Sequence, residues 1–278
     1  MASIKSFVDR RGKRFWWTVR FVLVTLIAFA ILLLGWIGGM DYVTNIYTEL
    51  IGVILSTGVT VVIVDQFYER RDKERLKHQL VREAGSSINA VAINAIEQLR
   101  LNGWLIGEEG LLRGAQLRDA DLRGANLKEV NLQGASLWNA KLDEADCYNA
   151  NLQYAFLHNA SLQKAKLNGA NLQESMLMGS NLREALLFHA NMQGAFLDRA
   201  NLAGADLRGV NLLGARLDFA TFQDAILTDA TLPDDSNYKE GMDIGRFTML
   251  RHPEFMATRD ALEAIREKLG ISFHRHFA

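Results

Sequence analysis

The sequence predicts an all-β solenoid behind an N-terminal α-helical transmembrane hairpin, with helical caps at the solenoid ends. Three observations carry that expectation. From Leu112 to Leu232 every fifth residue is leucine, except Cys147, Met192 and Phe222. Two places before each leucine from position 115 on stands alanine, with Val130, Ser175, Ser180 and Val210 as the departures. Ahead of this, residues 21–40 run without a charge and a second apolar segment follows at 50–64.

A period of five suits neither regular element. On an α-helix successive leucines would rotate by about 140° off any single face. On a strand, where side chains alternate, an odd repeat would switch faces each time. A four-sided coil resolves this: each pentapeptide forms one side and turns one corner, so twenty residues complete a turn. Leucine then fills the interior at the centre of each side, and the small residue two places earlier also points inward. Roughly six coils at about 4.8 Å each make a rod near 30 Å long. Such coils have no long loops to hold an active site, and their two open edges require caps.

The pattern in "ADLRG" (120–124), "ANLKE" (125–129), "ANLQE" (170–174) and "ADLRG" (205–209) resembles the pentapeptide-repeat proteins over about 120 residues. That resemblance implies a right-handed quadrilateral β-helix. The flank "YERR", "LVREAGS", "NAVAI" (68–93) is similar to that of a group of bacterial membrane members of the family. Some members resemble duplex DNA in charge and shape and bind a topoisomerase. Here Asp119, Asp121, Asp143, Glu144 and Asp146 are offset by Arg113, Arg118, Arg123, Lys128 and Lys141. Mimicry needs a sustained negative field, which this repeat lacks.

Residues 21–40 form twenty uncharged positions, roughly 30 Å of helix and enough for a bilayer core. The run is long for a signal peptide, and no small-residue cleavage site follows it. The second span is expected to begin near Tyr42 and to include Glu49. Lys5, Arg10, Arg11, Lys13, Arg14 and Arg20 precede the first span, and Arg70, Arg71, Lys73, Arg75, Lys77 and Arg82 follow the second. No Lys or Arg lies between them, so the positive-inside rule places both termini and the repeat in the cytoplasm. The expected location is the bacterial inner (plasma) membrane. Gly35 with Gly39, and Gly52 with Ser56 and Thr60, make small faces for helix packing within the hairpin. Glu49 is either a hydrated carboxylate at the outer interface or an intramembrane group of a homo-oligomeric channel.

The organisation expected is a basic N-terminus and two-helix hairpin over 1–65, a charged helical connector and N-terminal cap over 66–108, the solenoid over 109–232, and a C-terminal cap with a short helix over 233–278. Gly85, Ser86 and Ser87 break the connector and offer an N-cap to the next helix. That helix carries Ile88, Val91, Ala92, Ala95, Ile96 and Leu99 on one stripe, suited to covering the open first coil together with Trp104 and Leu105. Beyond Pro233, "TRDALEAIREKLG" reads as a helix with Thr258 as N-cap and Gly270 as its stop.

Function is expected on the outward positions. Sorted by twenty, one face carries Asn131, Asn151, Asn171, Asn191 and Asn211 with Gln133, Gln153, Gln173 and Gln193. Stacked amides of this kind form structural ladders along the axis. The next face carries Trp138, Phe156, His158, Met176, Met178 and Phe196, with Leu186 and Phe188 on a neighbouring face. An outward apolar stripe of this size marks an interface with a partner or is covered by the protein's own tail or connector. The near-neutral charge of −1 gives no reason to expect nucleic acid, and the single Cys147 excludes an internal disulfide. His158 and His189 fall on different faces, and His274 with His276 lack a third ligand, so neither a catalytic dyad nor a metal centre is read. No cofactor is expected. The sequence thus predicts a non-enzymatic, membrane-anchored scaffold for an unidentified protein partner, with the lipid bilayer as its second contact. A homo-oligomeric channel or transport accessory built from the hairpin is the alternative.

Overall fold

Residues 41–249 and 255–271 are described by the computed structural model of the chain. The chain divides into two units, Met1–Arg75 and Leu76–Ala278. The first predicted span, with Gly35 and Gly39, lies outside the described residues, as do His274 and His276.

Helix α1 runs from Asp41 to Ala84, a continuous 44-residue helix. It contains no proline, and the apolar stretch 50–64 passes into the charged connector without a break. Val53, Val59, Ile63 and Phe67 are each more than half exposed on it. Among the described residues no helix is long and apolar enough to cross a membrane. The second predicted span, expected to begin near Tyr42 and to include Glu49, falls on this helix and is not shown as a crossing. Glu49, Gly52, Ser56 and Thr60 are exposed on α1. The Ser56 hydroxyl donates to Val53 O (3.1 Å) and that of Thr60 to Ser56 O (2.7 Å), within their own helix. A Cβ added at Gly52 would touch nothing within 4 Å, so the predicted small packing face has no neighbour among the described residues.

The helix stops at Gly85, whose N–H turns back to Arg82 O (3.1 Å). A side chain there would meet Gln116 O at 3.0 Å, so glycine permits the chain to pass close over the first coil. Helix α2, Asn89–Leu101, then lies across that coil with Ala92, Ala95, Ile96 and Leu99 buried. Ile88 and Val91, placed on the same stripe by sequence, are instead exposed (63% and 37%), because they precede or begin the helix at its edge. Neither serine caps α2 in the predicted way. Ile88 occupies the N-cap, and Ser86 Oγ accepts from Ile88 N at 3.1 Å. Polar side chains of α2 take up the carbonyls that the first coil has no preceding coil to satisfy. Asn89 donates to Asp121 O and Arg123 O, and Arg100 to Asn126 O and Lys128 O, all between 2.9 and 3.2 Å.

From Gln116 onward each bridging residue pairs in parallel with the residue twenty further on, from Gln116↔Ser136 to Asn211↔Thr231. Pairing is one residue per side, so the coil has short flat sides rather than extended strands. The pattern at the first pair recurs throughout. Leu117 N donates to Ser136 O (2.8 Å), Ser136 N to Ala115 O (2.9 Å), and Asp119 N to Trp138 O (2.8 Å). At each corner the next alanine closes a turn onto its leucine, as Ala120 N does to Leu117 O (3.2 Å). From residue 114 to 229 the second residue after each leucine position has positive φ, glycine in some coils and residues such as Asp119 (58°) or Phe219 (63°) in others. A left-handed corner without glycine costs about 1–2 kcal/mol. Burying the adjacent leucine returns about 1.5–3 kcal/mol. The five-residue rule is therefore two demands, a small inward pair and a corner that tolerates φ > 0.

The interior is a continuous column of fully buried Leu and Ala, with Cys147 in a leucine position. Burial, with the Asp146 charge as a smaller cause, pushes the Cys147 thiol up to about 12. Past Leu232 the chain hairpins: Tyr238 N bonds Ala230 O and an antiparallel bridge joins Thr231 to Asn237. Helix α3, Gly245–Thr248, seats Phe247 (2% exposed) against the last coils, and Thr248 O accepts from Phe219 N. Helix α4, Phe255–Lys268, begins before Thr258, so Thr258 lies within it and is not its N-cap. Met256 and Ala257 are good helix formers, and nothing in 255–257 halts propagation. Gly270 (φ 70°) ends it as the sequence suggested.

Candidate protein-interaction site

The predicted amide ladder forms through its glutamines more than its asparagines. Each asparagine oxygen turns inward on its own corner, accepting from the backbone N–H two residues on: Gln133 at 3.0 Å, Gln153 and Gln173 at 3.1 Å, Gln193 at 3.2 Å and Leu213 at 3.0 Å. Short Asx side chains prefer such local bonds. The axial ladder is made by the longer glutamines, Gln133 to Gln153 (3.2 Å) and Gln153 to Gln173 (3.3 Å). Only one asparagine pair joins along the axis, Asn211 to Asn191 at 3.4 Å among the described residues.

The aromatic wall consists of two parallel columns. One bridges Ser136, Phe156, Met176, Phe196 and Arg216 in register. The other, two residues later in each coil, carries Arg118, Trp138, His158, Met178, Asp198 and Asp218. Its lower half is a stack: Trp138 lies on His158 with ring centroids 4.2 Å apart and planes 24° from parallel, and the Arg118 guanidinium sits 5.3 Å from the Trp138 ring. Trp138 and Phe156 are half-buried and open to solvent. His158 is buried (8% exposed) with its Nδ1 unpartnered, and burial lowers its pKa, so it is neutral at pH 7.

The expected outward stripe ends above Phe156 in the first column, whereas Met178 in the second is half-buried like Trp138. Met176 and Phe196 occupy their predicted column yet are each 1% exposed. The C-terminal segment returns over this part of the wall. Arg266, itself 7% exposed, lies with its guanidinium 4.3 Å over the Phe196 ring and donates to Gly214 O (2.6 Å) and Gly194 O (3.4 Å). Burial, reinforced by the nearby Arg216 charge, pushes Arg266 down to about 10, so it is cationic at neutral pH. Arg216 joins Asp198 (2.8 Å) and Asp218 (3.4 Å). Burial raises the Asp198 carboxyl, with Arg216 opposing that shift. Between the two halves opens a concavity of about 410 Å³, lined by His158, Met178, Asp198, Arg216 and Phe219.

Leu186 and Phe188 stand on a separate face, 39% and 42% exposed, with Arg208 5.4 Å over the Phe188 ring. They do not join the wall. Arg216, Asp198, Arg266 and the corner glycines escaped sequence reasoning, since each looks like an ordinary surface or turn residue until the tail folds back. A partial signal was Gly194 and Gly214 one coil apart, as Gly114 and Gly134 also are, ahead of a tail with an amphipathic helix. Among the described residues no group of three or more metal-ligating side chains occurs.

The family model for pentapeptide repeats matches eight copies, over residues 111–146, 131–169, 140–177, 165–202 and 197–232. None of the curated proteins matches the chain. Among solved structures, the chain is 31% identical to HetL, a pentapeptide repeat protein involved in heterocyst differentiation regulation from the cyanobacterium Nostoc sp. strain PCC 7120, covering 45% of this chain and 78% of HetL at a TM-score of 0.26. It is 33% identical to the pentapeptide repeat protein Rfr23 from the cyanobacterium Cyanothece 51142, over 35% of this chain and 60% of Rfr23, at a TM-score of 0.21. The plasmid-mediated fluoroquinolone resistance protein QnrB1 is 19% identical over 55% of this chain and 84% of its own, at a TM-score of 0.28. The repeat matches and the identity to HetL together place this chain in the pentapeptide-repeat family.

Proposed function

We propose that the protein is a non-enzymatic, membrane-anchored scaffold whose cytoplasmic solenoid docks a protein partner on the lower half of the aromatic wall. The observation that carries the reading is Trp138 and Phe156, half-buried and adjacent in two columns, next to an open concavity bordered by the exposed Phe219. Aromatic residues held rigid by a neighbour, as His158 holds Trp138, supply contact area at small entropic cost. Anchoring is supported by the uncharged residues 21–40 and by the exposed apolar side chains of α1.

Two experiments test this. Affinity capture with the intact chain and with Trp138→Ser/Phe156→Ser should differ in one protein retained only by the intact chain; identical capture overturns the docking reading. Both positions are chosen because neither fills the interior column, whereas Phe196→Ser would disturb a buried packing site. Fractionation should place the chain with membranes resistant to alkaline wash, and a reporter fused after Ala278 should be active in the cytoplasm; activity only outside reverses the orientation.

A further inference from the structure

The carbonyls of the corner residues Gly194 and Gly214, one coil apart, accept no backbone hydrogen bond among the described residues. Arg266 uses both of them. It reaches Gly214 O and Gly194 O on successive coils, with the Phe196 ring beneath it, and the Asp198 and Glu174 carboxylates partly offset the burial and the Arg216 charge that disfavour its cation. Two carbonyls, an aromatic face and two carboxylates form a built receptor for a guanidinium. Its shape is specific as well. Gly194 has φ 67°, and a Cβ there would stand 2.5 Å from Ile271 Cδ1, so the seat is cut for an apolar side chain following the arginine.

What holds α4 in this seat is small. Among its described side chains Leu262, Arg266 and, past its end, Ile271 are buried and Ile265 is half-buried against the core, while Ala261, Glu263, Ala264, Glu267 and Lys268 face solvent. A 14-residue helix is marginal in water without tertiary packing. Segments with so few buried contacts occupy the low-stability end of a fold and open locally.

We propose that the Gly194–Gly214 ridge with Phe196 is a docking seat for an amphipathic helix bearing an apolar residue, an arginine four positions later and a second apolar residue five beyond that, and that α4 is a resident occupant which such a helix of a partner protein displaces. The inference rests on the reading of the solenoid as a protein-binding scaffold. Displacement uncovers Phe196, in the same column as Phe156. Charge complementarity selects the occupant: an acidic or neutral helix leaves the two carbonyls and the Glu174 carboxylate without the arginine, while Asp198 keeps Arg216.

The test uses a fluorescent peptide of residues 255–271 as the arginine-bearing helix, titrated against the full chain in detergent. A chain with Arg266→Asp, which repels its own tail from the seat, should bind the peptide at least about tenfold more tightly than the native chain. A peptide with Arg266→Ala should bind neither. Equal affinity for both chains, or binding indifferent to the peptide's arginine, overturns the proposal. Hydrogen exchange on the native chain keeps the test independent of the variant's folding. The α4 amides should exchange far faster than the Leu177 amide of the coil, and equal protection would make α4 a fixed part of the core. A native dimer in which α4 fills the neighbouring copy's seat would overturn the assignment to a partner protein. Peptide binding does not involve Trp138 or Phe156, so unchanged capture by their serine variants would sink the docking reading while leaving the seat's result standing.

Discussion

The two ends of the solenoid meet the same physical problem with different devices. At the first coil, α2 covers the open end with four buried apolar residues, and Asn89 and Arg100 satisfy four carbonyls of that coil. At the last, the chain folds back on itself in a short hairpin and plugs the end with Phe247, while α4 leaves the end and lies along the wall. Sealing an edge needs few residues if they bond the edge directly. That economy leaves the tail helix free for the side of the rod, where an interface can be regulated.

The sharpest break of this comparison is Phe247→Ala, expected to cost about 3–5 kcal/mol at the C-terminal end. Because each coil contacts only its neighbours, the loss should stay local. Exchange should rise at Phe219 and in the hairpin, while labelling of the buried Cys147 thiol stays slow. Ile96→Ala, at about 2–5 kcal/mol, should act at the other end and expose the first coils, so that Cys147 reacts with thiol reagents much faster than in the native chain. If both variants accelerate Cys147 labelling equally, the solenoid unfolds as one unit and the two ends are not independent. A smaller effect is expected of Asn89→Ala, about 1–3 kcal/mol for the acceptors it leaves unpaired, seen as a lower thermal midpoint for α2 and the first coil.

The smallest effect concerns pH and uses a repeat that occurs twice. "ADLRG" stands at 120–124 and again at 205–209, and both copies make the same fork: the arginine Nε meets one aspartate oxygen at 2.8 Å and Nη2 the other at 2.6 Å. In each, the arginine's hydrogen bonds hold the carboxyl below the ordinary range against a smaller burial effect. A depressed carboxyl contributes stability that is present above its unfolded value and lost as pH falls through the folded one. Only Asp121 also accepts from Asn89, at 3.2 Å. Below about pH 4, the ordinary carboxylate range, α2 should therefore begin to lose amide protection before the coils do. Asp121→Asn should lessen that acid response, and Asp206→Asn should leave it untouched.

The twin repeats also mark how far the sequence reaches. The coil was legible because its causes are local and repeated: small residue, leucine and left-handed corner recur every five positions, so no long-range information is needed to count the sides. The arginine fork is local too, and identical pentapeptides make identical forks. The glutamine ladder was half legible, since position supplied the stack but side-chain length decided which amide spans a coil. The wall was legible as a column and not as a surface. Trp138 and Phe156 remain open, yet Phe196 and Met176 stand in the same register and are closed.

By itself, then, the sequence determined the four-sided coil, the inward residues and the aromatic column, because each depends on neighbours five or twenty positions away. Only the tertiary structure decided which part of that column faces solvent. That depends on Arg266 crossing 52 and 72 residues of chain to two corner carbonyls. No periodicity encodes such a contact, because it exists only after the rod has formed and brings the Gly194 and Gly214 carbonyls to the tail.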